Sequence, residues 1–235
     1  ENTSNSGFLR QRFHEGMSIK TMLMAPQPGP ELAIESGYIG GDIHSAFANV
    51  ALLDLSDELV PGRFAAAMEK AKEEMPLSVP VVIGGKALTT KKTKKRVSPN
   101  DPACTVAQVS QATSKEAEKA LDQARDAFPA WRDTLLAERA ALVERLGQIL
   151  EEDRFELAAL QAFEVGKPWL EADADVAEAI DFCRYYSRQA LIELGPVKQG
   201  SVAGEDNILF YEGRGPTVVI APWNFPLAIL CGMTT

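Results

Sequence analysis

The run Thr217-Val218-Val219-Ile220-Ala221, closed by Pro222 and followed by a second proline at 226, constrains the fold more than any other part of the chain. It lacks the polar alternation of a strand with one wet face, so a strand covered on both faces is expected. The prolines interrupt it, and the apolar residues behind Pro226 start a new helix. Preceded by several helical segments, such a strand belongs to a layered α/β domain whose sheet has only begun.

The clearest helix begins at Thr113-Ser114-Lys115-Glu116, which has the form of a capping box. After it, Ala117, Ala120, Leu121, Ala124, Ala127, Phe128 and Trp131 recur at helical spacing, and Pro129 is expected to kink or end the helix. A second helix is expected over 136–152 with Leu142, Leu146, Ile149 and Leu150 inward. A third runs from 154 to a stop at Gly166 and Pro168, and a fourth carries Val176, Ala179, Ile180, Cys183 and Ala190 as far as Gly195-Pro196.

Upstream of these, Val81-Val82-Ile83 and a Gly84-Gly85 turn predict the start of a second domain near residue 81. Residues 97–109, with Val106 and Val109 near the turn Pro99-Asn100-Asp101-Pro102, suit an edge hairpin. Residues 197–211 suggest an exposed hairpin with an unpaired edge, the kind that pairs with another chain. Residues 14–80 read as a connector broken by prolines and glycines, with short helices of which 63–74 is the best candidate. Residues 1–13 end in Phe8-Leu9-Arg10-Gln11-Arg12-Phe13, which could close a helix but carries too little apolar surface to fold alone. With Glu1 where a methionine would start, the chain is expected to be an internal piece of something longer.

Composition excludes more than it assigns. A hydrophobic share of 46% is enough for a core, while a net charge of −9 and a pI near 4.9 repel nucleic acid and anionic membrane. The basic run Lys91-Lys92-Thr93-Lys94-Lys95-Arg96 is therefore read as a solvated loop, and Gly84-Gly85-Lys86 as a hairpin turn rather than a phosphate loop. His14 and His44 have no ligand spacing, so no metal site is expected. The three cysteines show no paired spacing, which favours a reducing, cytoplasmic compartment. Cys183 and Cys231 are expected in packed interiors and Cys104 at a surface or edge.

The candidate chemistry lies in Pro222-Trp223-Asn224-Phe225-Pro226. Two prolines stiffen a turn at the end of a buried strand, where open α/β sheets place ligands. The Asn224 amide can donate to charge developing on a carbonyl oxygen. The alternative left open by the residues alone is that Asn224 caps the following helix and Trp223 packs in the core.

Ile220-Ala221-Pro222-Trp223-Asn224-Phe225-Pro226-Leu227 resembles a motif of the aldehyde dehydrogenase superfamily. Residues 124–131 resemble that family's first helix, and Glu164-Val165-Gly166-Lys167-Pro168 its Glu-x-Gly-Lys turn. The resemblance covers 81–235 and implies the N-terminal part of a Rossmann-like, NAD-binding α/β domain. It also implies that Asn224 joins an oxyanion hole, that Ile220, Pro222 and Trp223 contact NAD, and that 197–211 belong to an oligomerisation flap. The nucleophilic cysteine, the glutamate base and the ribose-binding lysine would then lie beyond residue 235.

Residues 1–13 resemble the end of a proline dehydrogenase (β/α) barrel. Together the two pieces are similar to the bifunctional proline utilization A family. That resemblance implies oxidation of proline to glutamate through glutamate γ-semialdehyde, with FAD bound by a barrel mostly outside this chain. It further implies a homo-oligomer, small-molecule substrates, a membrane or quinone link through the flavin domain, and no dehydrogenase activity from these 235 residues alone. A stand-alone aldehyde dehydrogenase of other specificity and a non-catalytic scaffold of the same fold stay open.

Overall fold

The structure, a computed structural model, describes Ser18 and residues 42–235. The chain divides into a unit at 1–35 and another at 36–235, and every described helix and strand belongs to the second. The barrel-end assignment for 1–13 lies outside the described residues.

The fold is mixed α/β, as expected, and is organised around one long helix. Helix α1 (Leu59–Glu74) is followed by strands β1 (Leu77–Val79), β2 (Val81–Ile83), β3 (Lys86–Leu88), β4 (Thr93–Val97) and β5 (Thr105–Ser110). Four helices come next, α2 (Ser114–Asp133), α3 (Leu136–Glu152), α4 (Arg154–Val165) and α5 (Trp169–Glu193). The short strands β6 (Val197–Lys198) and β7 (Ile208–Leu209) and the helix α6 (Ala228–Thr234) complete the order. Of the short helices expected between 14 and 80, the best candidate at 63–74 lies within α1, while residues 14–17 and 19–41 lie outside the described residues. Val60, Phe64 and Ala67 of α1 lie in the core with Phe155, Ala158 and Ala159 of α4. Phe64 stacks on Trp169 at 5.0 Å and meets Phe155 edge-on at 5.1 Å.

Helix α5 is 25 residues long and is buried on more than one side. Its small residues Ala172, Ala177 and Ala179 let neighbours approach closely, and Val176, Ile180 and Cys183 fill the gaps. Against it, α3 presents Ala140, Glu144, Gly147 and Leu150. Of the four residues expected inward, Leu150 is buried and the other three are not. Leu142, Leu146 and Ile149 are exposed, because the small residues on the adjacent stripe permit a closer packing than leucines would. A Cβ on Gly147 would stand 3.0 Å from the Cys183 Cβ, which measures how tight the contact is.

Helix α2 keeps its capping box, with the Thr113 N–H donating to Glu116 Oε2 at 2.8 Å. Pro129 does not end the helix, which continues four residues beyond it to Asp133. No residue of α2 is buried, and Leu121 and Trp131 stay exposed.

The sheets are small. β5 is the centre of a three-stranded sheet, parallel to β1 and antiparallel to β4. The expected hairpin around residues 98–104 is present, but Val106 and Val109 sit on β5, the central strand of the sheet, with β1 at one edge and β4 at the other. The basic run read as a loop supplies that edge, since Lys94, Lys95 and Arg96 belong to β4. Charged side chains on an exposed edge deter pairing with other chains. β2 and β3 form the tight hairpin expected at Gly84-Gly85, whose φ values of 57° and 72° suit a turn favoured by glycine. β6 and β7 pair antiparallel as an exposed hairpin within 197–211.

The strand expected at 217–221 does not form. Residues 210–222 carry no regular structure, and Val218 and Ile220 are 79% and 82% exposed. A parallel strand needs neighbours to take its backbone hydrogen bonds, and no described segment lies beside it to do so.

Candidate active site

The site is built where the corner between α4 and α5 meets the loop before α6. Gly166 ends α4 in the left-handed region at φ +74°, and a Cβ there would meet Pro99 Cγ at 3.0 Å. The tight fit fixes the direction in which Lys167 leaves the corner. Residues 165–168, Glu171, Asp175 and Glu178 on one side and 223–225 on the other enclose a cleft of about 470 Å³.

Asn224 stands on the wall of this cleft, exposed, and its amide has no hydrogen-bond partner among the described residues. The helix-cap alternative is overturned, because α6 begins at Ala228 with Leu227 in the cap position and no side-chain cap bond. The core alternative for Trp223 is overturned too, since the indole is 75% exposed. Both side chains are thus left available by the fold.

Beneath the loop lies a buried ion pair that sequence reading did not single out. Lys167 Nζ sits 3.5 Å from Asp175 Oδ1, with the two side chains 11% and 1% exposed. The same Nζ lies 4.5 Å above the Phe225 ring, and Asp175 Oδ2 accepts the Leu227 N–H at 3.2 Å. Asp175 Oδ1 has no hydrogen bond, so Lys167 alone balances its charge. The available signal was an acid at 175 within the apolar stripe of Ala172, Val176 and Ala179, where a carboxylate is costly without a partner.

A second polar system on α5 fixes the extended segment 43–53. Arg154 and Asp173 form a two-pronged pair at 2.6 and 2.9 Å, and Asp173 also accepts the Leu53 N–H at 2.8 Å. Asp181 accepts from the Val50 N–H and the Asn49 amide at 2.9 and 2.8 Å, and Arg188 donates to the carbonyls of Ile43 and Ser45. These bonds hold α5 and its approach in place, and none of Arg154, Asp173, Asp181 and Arg188 lines the cleft.

Neither buried cysteine faces the cleft. Cys183 and Cys231 bring their Sγ atoms within 3.3 Å between α5 and α6, and both are buried, as expected. The hydrogen bond to Cys231 and then burial push the Cys183 thiol well above its ordinary range. Cys104 is half-buried, its Sγ 4.0 Å from Met75 Sδ. Among the described residues no group of three or more His, Cys, Asp or Glu stands together as a metal site, and no helix is long and apolar enough to cross a membrane.

For a dinucleotide, the residues present fit one wall. Val218, Ile220 and Trp223 turn uncovered apolar surface outward next to the cleft loop, a surface suited to a flat ring. Pro222, also exposed, keeps the strip stiff.

Residues 88–235 match the aldehyde dehydrogenase family. The 1-pyrroline-5-carboxylate dehydrogenase of Geobacillus sp. (strain WCH70) is 40% identical over 183 residues, which is 78% of this chain and 36% of that protein. The enzyme of the same name from Staphylococcus haemolyticus is 37% identical over 80% of this chain and 37% of its own length. The chain thus spans about a third of the length of these curated relatives. Among solved structures, proline utilization A from Bdellovibrio bacteriovorus, inactivated by N-propargylglycine, superposes with a TM-score of 0.79 at 40% identity. It covers 99% of this chain and 24% of that one. The Thermus 1-pyrroline-5-carboxylate dehydrogenase with bound NAD has a TM-score of 0.76 at 38% identity, over 80% of this chain and 37% of that one.

Proposed function

This chain belongs to the aldehyde dehydrogenase family, and on that premise we propose that it forms part of an NAD-dependent dehydrogenase of glutamate γ-semialdehyde, the open form of 1-pyrroline-5-carboxylate. The observation that carries the reading is the unpaired, exposed amide of Asn224 on a cleft that is walled by a buried Lys167–Asp175 pair. An amide held with its NH₂ free is a preorganised donor, and it does most where negative charge appears on an oxygen only during reaction. When a cysteine thiolate adds to the aldehyde carbon, the carbonyl oxygen becomes an oxyanion, and Asn224 donates to it. Ile220, Pro222 and Trp223 are proposed as the wall for NAD, which supplies the hydride acceptor when bound. The thiolate is assigned to a residue outside 1–235, since none of Cys104, Cys183 and Cys231 lines the cleft.

The reading extends to coupling with an FAD-dependent proline dehydrogenase in the same polypeptide. Its support is that proline utilization A covers 99% of the chain whereas the Thermus dehydrogenase covers 80%. No residue described here is assigned to FAD. The exposed β6–β7 hairpin, with Val197, Ile208 and Leu209 on its surface, is proposed to pair between copies in a homo-oligomer.

Full-length protein supplied with NAD and a panel of aldehydes tests the function through NADH formation. kcat/KM for glutamate γ-semialdehyde is expected to exceed that for aliphatic aldehydes of similar length by at least about a hundredfold. Equal rates with the aliphatic aldehydes would assign the chain to a dehydrogenase of other specificity, and no NADH from any aldehyde would leave only the scaffold.

A further inference from the structure

Asn224 is exposed and makes no hydrogen bond to the described residues, so something other than its own contacts must hold it in one place. Two of the three residues after it are held from below. Phe225 lies against the Lys167 ammonium at 4.5 Å, and the Leu227 N–H is taken by Asp175 Oδ2 at 3.2 Å. The two holding groups are also held to each other, Nζ to Oδ1 at 3.5 Å, with Asp175 fully buried and Lys167 nearly so. Each sits on a stiff base. Lys167 follows the left-handed Gly166 packed on Pro99, and Asp175 belongs to the buried half of α5.

From this geometry we propose that Lys167 and Asp175 are positioning residues that act through residues 225–227 to keep the Asn224 amide aimed into the cleft. The proposal rests on the reading of Asn224 as an oxyanion donor. Lysine suits the position because its compact ammonium serves the carboxylate and the ring face at once. Aspartate suits the other because its two oxygens divide the work, one for the backbone N–H and one for the ammonium. Glu171 and Glu178 line the same cleft without a place in this chain of contacts.

A double-mutant cycle in the full-length enzyme, assayed with glutamate γ-semialdehyde and NAD, tests it. Asn224→Ala is expected to lower kcat on the order of a hundredfold, and Lys167→Met on the order of tenfold or more. The double variant is expected to be no slower than Asn224→Ala alone, because a misaimed donor and a missing donor are the same loss. NAD affinity should change less than about twofold in every variant. Asp175→Asn keeps an acceptor for Leu227 but removes the charge, so it is expected to fall between wild type and Lys167→Met in kcat. It supplies the same cycle if Lys167→Met does not fold. Fully additive losses, or unchanged kcat in Lys167→Met and Asp175→Asn while Asn224→Ala is slow, would overturn the positioning role and leave the donor role standing. Unchanged kcat in Asn224→Ala would overturn the donor role and the positioning role together.

Discussion

Asn224 is left out of the hydrogen bonding that holds its neighbours. Its neighbours Phe225 and Leu227 are tied down by Lys167 and Asp175, while its own amide is unpaired. The motif around it was legible because it is contiguous, and two prolines announce a stiff turn without any tertiary information. Asp175 was not legible as part of the site. Its partner is eight residues back across a helix corner and its backbone acceptor role is 52 residues away, at Leu227, and only the assembled fold brings the three together. Thr113 and Glu116 are the opposite case, a purely local pair found where the spacing places it. The hydrogen bond from the Thr113 side chain, followed by its backbone bond, lowers the Glu116 pKa below 4.5. A lowered carboxylate pKa adds stability that is fully present above the unfolded value and is lost as pH falls through the lower, folded one. Urea unfolding of wild type and Glu116→Gln as a function of pH should therefore show a gap that is constant at neutral pH and closes in the acid range below 4.5. A gap that persists unchanged in acid would remove the charged cap from the account.

At the scale of elements, boundaries were read more reliably than faces. The helix expected over 136–152 is α3 at those limits, yet Leu142, Leu146 and Ile149 point out while Ala140, Glu144 and Gly147 join Leu150 in pointing in. Hydrophobicity alone ranks leucine as the inward residue, but α5 is itself lined with alanines, and two small-residue stripes pack closer than two bulky ones. The close contact of Gly147 with Cys183 makes this checkable. Gly147→Val should destabilise the protein by about 1–3 kcal/mol, the usual cost of overpacking, read from the denaturant midpoint. An unchanged midpoint would mean that α3 and α5 do not meet as described. The segment 217–221 teaches the complementary lesson. Its residues have strand character, but a strand is completed by its neighbours, and Val218 and Ile220 stay exposed without them. Exposed Leu121 and Trp131 on α2 follow the same logic, since helical spacing defines a stripe without supplying the surface that covers it.

For the whole molecule, the described residues form a helical scaffold around α5 that ends in one wall of the candidate site. Two polar systems on α5 divide the labour: Asp173, Asp181 and Arg188 fasten the segment 43–53, and Asp175 steadies the loop that carries Asn224. Residues 88–235 match the aldehyde dehydrogenase family, and proline utilization A is similar over 99% of the chain. The central claim is that Asn224 serves the transition state and not the bound cofactor. The most direct measurement is kcat of full-length Asn224→Ala with glutamate γ-semialdehyde, set beside its NAD dissociation constant. The account predicts turnover lower on the order of a hundredfold with NAD affinity nearly unchanged. Turnover equal to wild type, or a loss confined to NAD affinity, would contradict it.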